Sequence, residues 1–150
     1  RGDALWRSAW LLTGDPQLAE DLVQTALAKS WPSWDRIADA GGFEAYVRRV
    51  LYTTYLSWWR RKWNGERPTA RMPCEPDTPV DLALRRDVLQ ALGALPRGQR
   101  AVVVLRYFED LTERQTAEVL GCSVGTVKSQ AYRAMAALRS SPALRREEQP

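Results

Sequence analysis

The sequence predicts an all-α protein of two small helical lobes joined by a flexible Pro-rich linker. Three observations carry this. Apolar residues recur at three- and four-residue spacing along the chain, and no stretch alternates long enough for a strand. Residues that cap helices stand just ahead of those periodic runs. Between the two halves, residues 64–79 (NGERPTARMPCEPDTP) hold four prolines, a glycine and almost no large apolar side chain, which is linker composition.

In chain order, residues 4–13 form a short helix that Gly14 can close in a left-handed cap. Asp15 then caps a second helix with Pro16 at its first position. That helix is expected to turn Leu18, Leu22, Ala26 and Leu27 inward and to run to about Ser30. A loop, WPSWDRIADAGG, leads to a longer helix over residues 43–63. After the linker, Thr78, Pro79 and Asp81 mark a helix start, with Leu82, Leu84, Val88, Leu89 and Leu92 behind it. A further helix is expected over 97–108 around Val103, Val104 and Leu105. The boundaries are then 1–63 for the first lobe, 64–79 for the linker, 80–140 for the second lobe and 141–150 for a disordered tail.

At 150 residues the chain accommodates one domain or two small ones. It begins at Arg1 rather than methionine, which suggests trimming at the front; no stretch looks like a signal peptide. No apolar run approaches the roughly 20 residues of a membrane span, so a membrane is not an expected partner; the two cysteines, far apart in unlike surroundings, fit a reducing cytosol and a cytoplasmic protein. Histidine is absent, which excludes histidine triads and histidine-containing zinc sites. Cys74 and Cys122 make neither a disulfide framework nor a metal site. No glycine-rich phosphate loop is present either, so neither enzyme chemistry nor a cofactor is expected.

The net charge of +4 is unevenly placed. Residues 1–40 hold four basic and six acidic side chains, residues 41–67 six basic and two acidic, and residues 112–150 six basic and four acidic. Two basic regions and a pI near 9.4 fit a polyanion touched at two points. Ordinary solvation of helix faces is the alternative.

Thr112 with Gln115 is a capping box; Gly121 supplies a sharp turn, and Ser123 caps the next helix. Short helix, glycine turn and longer helix make a helix-turn-helix. At 100° per residue, Val124, Val127, Ala131, Ala134 and Leu138 share one stripe. The opposite face carries Gly125, Thr126, Ser129, Tyr132, Arg133 and Ala136, with Lys128 at its edge. Small residues there let the helix enter a major groove, and the hydroxyl and cationic groups reach phosphates and base edges. A merely wet face would favour Glu, Lys and Gln, which are better helix formers than Gly, Ser and Thr.

The long helix of the first lobe, FEAYVRRVLYTTYLSWWRRKW, turns Phe43, Val47, Val50, Leu51, Thr54 and Trp58 to one side. The other presents Arg48, Arg49, Tyr52, Leu56, Trp59 and Arg60. Aromatic planes among guanidinium groups suit single-stranded nucleic acid, whose bases stack for about 1–3 kcal/mol each. A helix apolar on both sides, sandwiched between neighbours, accounts for the pattern equally well. Glu20 and Asp21 near the start of the second helix complement its dipole without further purpose.

Together these segments resemble a bacterial extracytoplasmic-function (ECF) RNA polymerase sigma factor of the sigma-70 family, near the actinobacterial SigE-like group. LPRGQRAVVVLRYFEDLT with AEVLGCSVGTVKSQ resembles sigma region 4. LTGDPQLAEDLVQTAL resembles the polymerase-binding helix, and YVRRVLYTTYLSWWRRKW the helix that reads and melts the −10 element. The resemblance implies that Glu20, Asp21, Val23 and Gln24 dock on the clamp helices of the largest polymerase subunit, and that the flap of the second-largest subunit is a further contact. It implies a −10 set of Trp34, Arg36, Phe43, Arg49, Thr53, Ser57, Trp58, Trp59, Arg60 and Arg61. Ser123, Gly125, Thr126, Lys128, Ser129, Tyr132 and Arg133 would face the −35 duplex. It also allows for an anti-sigma factor.

The chain departs from the family pattern at Thr25, where an acid is usual, at Thr53, where asparagine is common, and at Gln115-Thr116-Ala117, usually Glu-Ile-Ala. The reading competes with a stand-alone helix-turn-helix regulator, which would normally dimerise on a palindrome, and with a sigma-like decoy that holds polymerase without opening DNA.

Overall fold

The structure is a computed structural model and describes residues 2–37, 42–62 and 79–145, helical in every regular element. The first half contains α1 (Gly2–Thr13), α2 (Pro16–Ser30), one 3-10 turn (Trp31–Ser33) and α3 (Gly42–Lys62). The second contains α4 (Pro79–Gly93), α5 (Arg97–Val103), a π-helical turn (Val104–Phe108), α6 (Glu113–Leu120), α7 (Val124–Arg139) and α8 (Pro142–Arg145). Residues 63–78, which hold nearly all of the expected linker and Thr78 of the expected helix start, lie outside the described residues.

The punctuation between α1 and α2 follows the sequence. Gly14 takes φ +72°, the left-handed conformation that costs glycine least, and its N–H returns to Trp10 O at 2.7 Å. Asp15 Oδ1 accepts from the N–H groups of Gln17 and Leu18 at 2.7 and 3.2 Å, satisfying two of the donors a helix start leaves open. α2 buries Ala19, Leu22, Val23, Ala26 and Ser30. Leu27, expected inward, is 40% exposed. Steps of 100° put Ala19, Ala26 and Ser30 at the centre of the buried stripe, Val23 at its edge and Leu27 about 40° beyond that edge.

α3 is covered on two sides. Val47, Leu51 and Thr54 are buried as expected, but so are Tyr52 and Tyr55, and Leu56 also packs on the core. The sequence pattern puts Tyr52 on the nucleic-acid side; the second half of the chain covers it instead. α1 packs on α4 and the π turn, and α3 packs on α5 and α6. One apolar cluster therefore runs from Ala9 and Leu12 through Leu51 and Tyr55 to Leu92, Val104 and Leu105.

Two polar anchors span this junction. Glu109 accepts from Ser8 Oγ at 2.9 Å, from Tyr52 Oη at 2.5 Å and from Arg48 Nε at 2.7 Å. Arg100, 5% exposed, donates from Nε to Leu11 O at 2.7 Å. Each anchor ties residues at least 57 positions apart.

The helix expected over 97–108 widens instead into the π turn, where Glu109 N reaches Val104 O and Leu111 N reaches Leu105 O, both at 2.9 Å. One extra residue in the turn advances the downstream chain by about 100° around the axis. Asp110 then reverses the chain at φ +57°, a conformation aspartate tolerates better than most residues. At the C-terminus, a tail expected to be disordered from 141 instead forms the helical turn of α8, which packs on α4; residues 146–150 lie outside the described residues.

Candidate nucleic-acid interface

α6, its turn and α7 are set by local chemistry. Thr112 Oγ1 accepts from Gln115 N at 3.0 Å, while Gln115 Oε1 accepts from Thr112 N at 2.9 Å, completing the capping box. Gly121 ends α6 at φ +69°, its N–H on Ala117 O at 2.8 Å. Ser123 Oγ accepts from Thr126 N at 3.1 Å to start α7. A small separate core of Val102, Ala117 and Val127, with Leu120, Cys122, Val124 and Ala131 around it, fixes the angle between the two helices.

The outward face of α7 is as expected. Ser123, Gly125, Thr126, Lys128, Ser129, Tyr132 and Arg133 are all exposed, Tyr132 at 75%. Among the described residues, neither Lys128 nor Arg133 has an ion-pair or hydrogen-bond partner. Ser123 and Thr126 share a hydroxyl contact of 3.0 Å at the N-terminal end of this face. Two cations and five small or hydroxyl-bearing groups along one exposed stripe form a surface able to meet phosphates and base edges. Partial burial pushes the Cys122 thiol up, away from nucleophilic reactivity, and the thiol is free.

The first half offers two further surfaces. On α2, Glu20 and Gln24 are exposed and linked by Gln24 Nε2 donating to Glu20 Oε2 at 2.9 Å; Asp21 is half-exposed beside them. Val23, implied with them as a docking residue, is a correction: it is 8% exposed and packed in the core. Leu27 and Trp31 continue the exposed stripe beyond Gln24 instead.

Beyond α2, Trp31 and Trp34 stack at 5.7 Å and 14°, and Phe43 meets Trp34 edge-on at 4.7 Å and 83°. Arg36 Nη2 donates to Ser33 Oγ at 3.0 Å, and Ser33 Oγ donates to Tyr46 Oη at 3.2 Å, which holds the turn to α3. Residues 38–41 of the loop lie outside the described residues.

On α3, Arg49, Thr53 and Ser57 are exposed at four-residue intervals and form one stripe. The Thr53 hydroxyl donates to its own helix, to Arg49 O at 3.0 Å and Val50 O at 3.1 Å. Trp58 is half-buried against the core. The side chains of Trp59, Arg60 and Arg61 lie outside the described residues.

Two residues escaped the sequence reading. Trp31 is 65% exposed and forms half of the stacked pair; its signal was there, since Glu20, Gln24, Leu27 and Trp31 follow helical spacing. Glu109 had none, because its partners lie 57, 61 and 101 positions away. Among the described residues there is no group of side chains that could hold a metal ion and no helix long and apolar enough to cross a membrane.

Comparison with known proteins agrees with this layout. Residues 2–65 match the family model for Sigma-70 region 2, and residues 85–138 that for Sigma-70, region 4. The chain is 46% identical over 144 residues to the RNA polymerase sigma-E factor of Streptomyces coelicolor, covering 93% of this chain and 80% of that protein. It is 36% identical over 143 residues to the ECF RNA polymerase sigma factor SigL of Mycobacterium tuberculosis, covering 90% and 80%.

Among solved structures, the sigma factor RpoE in complex with the anti-sigma factor NepR from Bartonella quintana superposes with a TM-score of 0.74 at 25% identity. It covers 96% of this chain and 91% of that one. CnrH in complex with the cytosolic domain of CnrY gives 0.67 at 26% identity, covering 93% and 80%. With both sigma regions matched in order and sigma-E relatives aligned over nine-tenths of its length, the chain belongs to the sigma-70 family as an ECF-type RNA polymerase sigma factor.

Proposed function

We propose that this chain is a promoter-specificity subunit of bacterial RNA polymerase, working in the cytoplasm and performing no catalysis itself. The observation that carries this most directly is the outward face of α7, from Ser123 to Arg133, standing free behind a doubly capped turn. In this reading residues 80–140 hold the −35 duplex through Lys128, Arg133 and the hydroxyl groups beside them. Residues 1–63 engage core polymerase through Glu20, Asp21 and Gln24. The same lobe takes unstacked −10 bases on Trp34 and Phe43, with Arg36, Arg49, Thr53 and Ser57 along the adjoining backbone. Unstacking costs a few kcal/mol, which stacking and capture offset.

The packed lobes set a condition on this. Elements named −35 and −10 lie about 25 base pairs apart, roughly 80 Å at 3.4 Å per pair. A compact chain of this length has a radius of gyration near 15 Å. Contact with both elements needs the lobes to part, and the linker 64–79 would span the gap within polymerase. The similar sigma factor RpoE was solved with the anti-sigma factor NepR bound, which makes such an inhibitor a partner to expect here as well.

Run-off transcription with sigma-free core polymerase over a promoter library tests the reading. Transcripts beginning at a fixed distance from shared −35 and −10 sequences are expected. Core binding without transcripts would identify a decoy instead; a palindromic footprint with no core binding would identify a stand-alone regulator.

A further inference from the structure

The junction of the two lobes contains a cation without a counter-ion among the described residues. Arg100 is 5% exposed, and its one hydrogen bond among the described residues runs from Nε to Leu11 O. No described carboxylate lies within ion-pair distance of it. Its terminal nitrogens sit between two glycines: a Cβ at Gly14 would stand 3.4 Å from Nη2, and one at Gly93 3.9 Å from Nη1. A buried guanidinium is expensive unless paired, and among the described residues neither arm of this fork has an acceptor.

The fork opens on a cleft of about 530 Å³ between the lobes. Tyr55 and Leu56 of α3 form one wall, Gly93 of α4 and Gly98 of α5 leave it open, and Arg97 stands beside Arg100 on the other side. Burial holds the Arg100 guanidinium below its ordinary value, the direction expected of a cation short of an anion. Tyr55, Arg97 and Arg100 all line this one space.

We propose that this cleft is a binding site for a small phosphate-type oxyanion, held between the guanidinium groups of Arg100 and Arg97. Planar guanidinium forks match phosphate oxygens two at a time, and the volume admits anything from pyrophosphate to a nucleotide. Both arginines belong to α5, while α3 adds Tyr55 and Leu56 as the facing wall, so the packed arrangement of the lobes encloses the anion more fully and is favoured by mass action. Binding itself does not rest on the promoter reading; only its consequence, a sigma factor held closed, does.

Calorimetric titration of the full chain with pyrophosphate, and in parallel with ATP, tests the site against sodium chloride of equal ionic strength. One-to-one binding is expected, with the melting temperature up by about 4 °C at ten times the dissociation constant. Arg97→Gln should weaken affinity at least five-fold while leaving the ligand-free melting temperature in place. Arg100→Gln should abolish binding; since it also removes the bond to Leu11, Arg97→Gln carries the decision if that variant does not fold. Tighter binding of ATP than of pyrophosphate would identify a nucleotide as the source of the phosphate, and the reverse a free inorganic anion. No heat beyond dilution with either probe, or undiminished affinity in Arg97→Gln, overturns the site.

Discussion

Tyr52 donates its hydroxyl to Glu109 at 2.5 Å from a position with no solvent exposure, joining the middle of the α3 helix to the residue that closes the π turn. Arg48 and Ser8 converge on the same carboxylate, so one side chain gathers donors from α1 and α3. Hydrogen bonds to a charged acceptor contribute about 1.5–3 kcal/mol each and do not add independently. Glu109→Ala is expected to lower stability to urea by about 3 kcal/mol, since it strands a buried hydroxyl and a partly buried guanidinium. Tyr52→Phe should cost about 1 kcal/mol. Small-angle scattering should show a larger radius of gyration for Glu109→Ala under native conditions; wild-type size and stability together would refute its role in holding the lobes.

Alkali should loosen the same junction. Burial first, and then the Glu109 charge, push Tyr52 well above its ordinary value near 10; burial pushes Tyr55 up to about 12 despite Arg100 and Arg97 nearby. A folded value above the unfolded one means the folded state prefers the proton. The associated stability is complete below about pH 10 and is lost as pH climbs from there, to about 12 for Tyr55. Urea midpoints should therefore hold up to about pH 10 and fall as pH rises from there towards about 12. Phenolate absorbance should report two of the five tyrosines ionising only as the protein unfolds; all five ionising in the folded protein would contradict their burial.

Local chemistry made the second lobe legible, and long-range packing hid part of the first. Asp15, Gly14, Thr112, Gln115, Gly121 and Ser123 act on backbone atoms within four residues, so their roles follow from spacing alone. The outward face of α7 was equally readable, because its inward stripe needs only Val127 and Ala134 to define it. Tyr52 stands on a side of α3 for which the sequence leaves two readings open. A helix apolar on two sides is compatible with an open binding face or with a second layer, and only a distant segment decides between them. Glu109 illustrates the same limit, as does Val23, which sits one step around α2 from the exposed side chains it was grouped with.

Thr116 offers a test of one departure from the family pattern. Its side chain is fully buried, and Oγ1 has no hydrogen-bond partner among the described residues. A buried hydroxyl left unpaired costs about 1–3 kcal/mol, while valine keeps nearly the same shape. Thr116→Val is therefore expected to raise stability by about 1 kcal/mol, read as a higher urea midpoint at unchanged slope. A destabilised variant would mean that the hydroxyl has a partner in solution.

Lys128→Ala and Arg133→Ala remove exposed side chains without described partners, so both should leave stability within about 0.5 kcal/mol of wild type. Arg133→Ala should weaken −35-dependent transcription about ten-fold, in line with about 1–3 kcal/mol for a good contact to a base edge. Lys128→Ala, acting on phosphate, should weaken all promoters alike and flatten the salt dependence. Core polymerase should still be retained on gel filtration with both variants. Loss of that binding would place α7 against polymerase and not against DNA.

Trp31 and Trp34 separate stacking from packing in the first lobe. The two rings stack on each other, yet Trp31 is 65% exposed and Trp34 41%, so each keeps surface available to a base. Trp34 also meets Phe43 edge-on, which ties it to the start of α3. Trp34→Ala should therefore cost about 1 kcal/mol of stability along with a loss of promoter opening. Trp31→Ala should affect opening with little change in stability, since it gives up exposed surface. Stacking energies of about 1–3 kcal/mol per base predict a five-fold or greater fall in permanganate reactivity of −10 thymines for either variant. Wild-type reactivity in Trp31→Ala, with the loss confined to Trp34→Ala, would leave Trp31 as a prop for its neighbour and restrict base capture to Trp34.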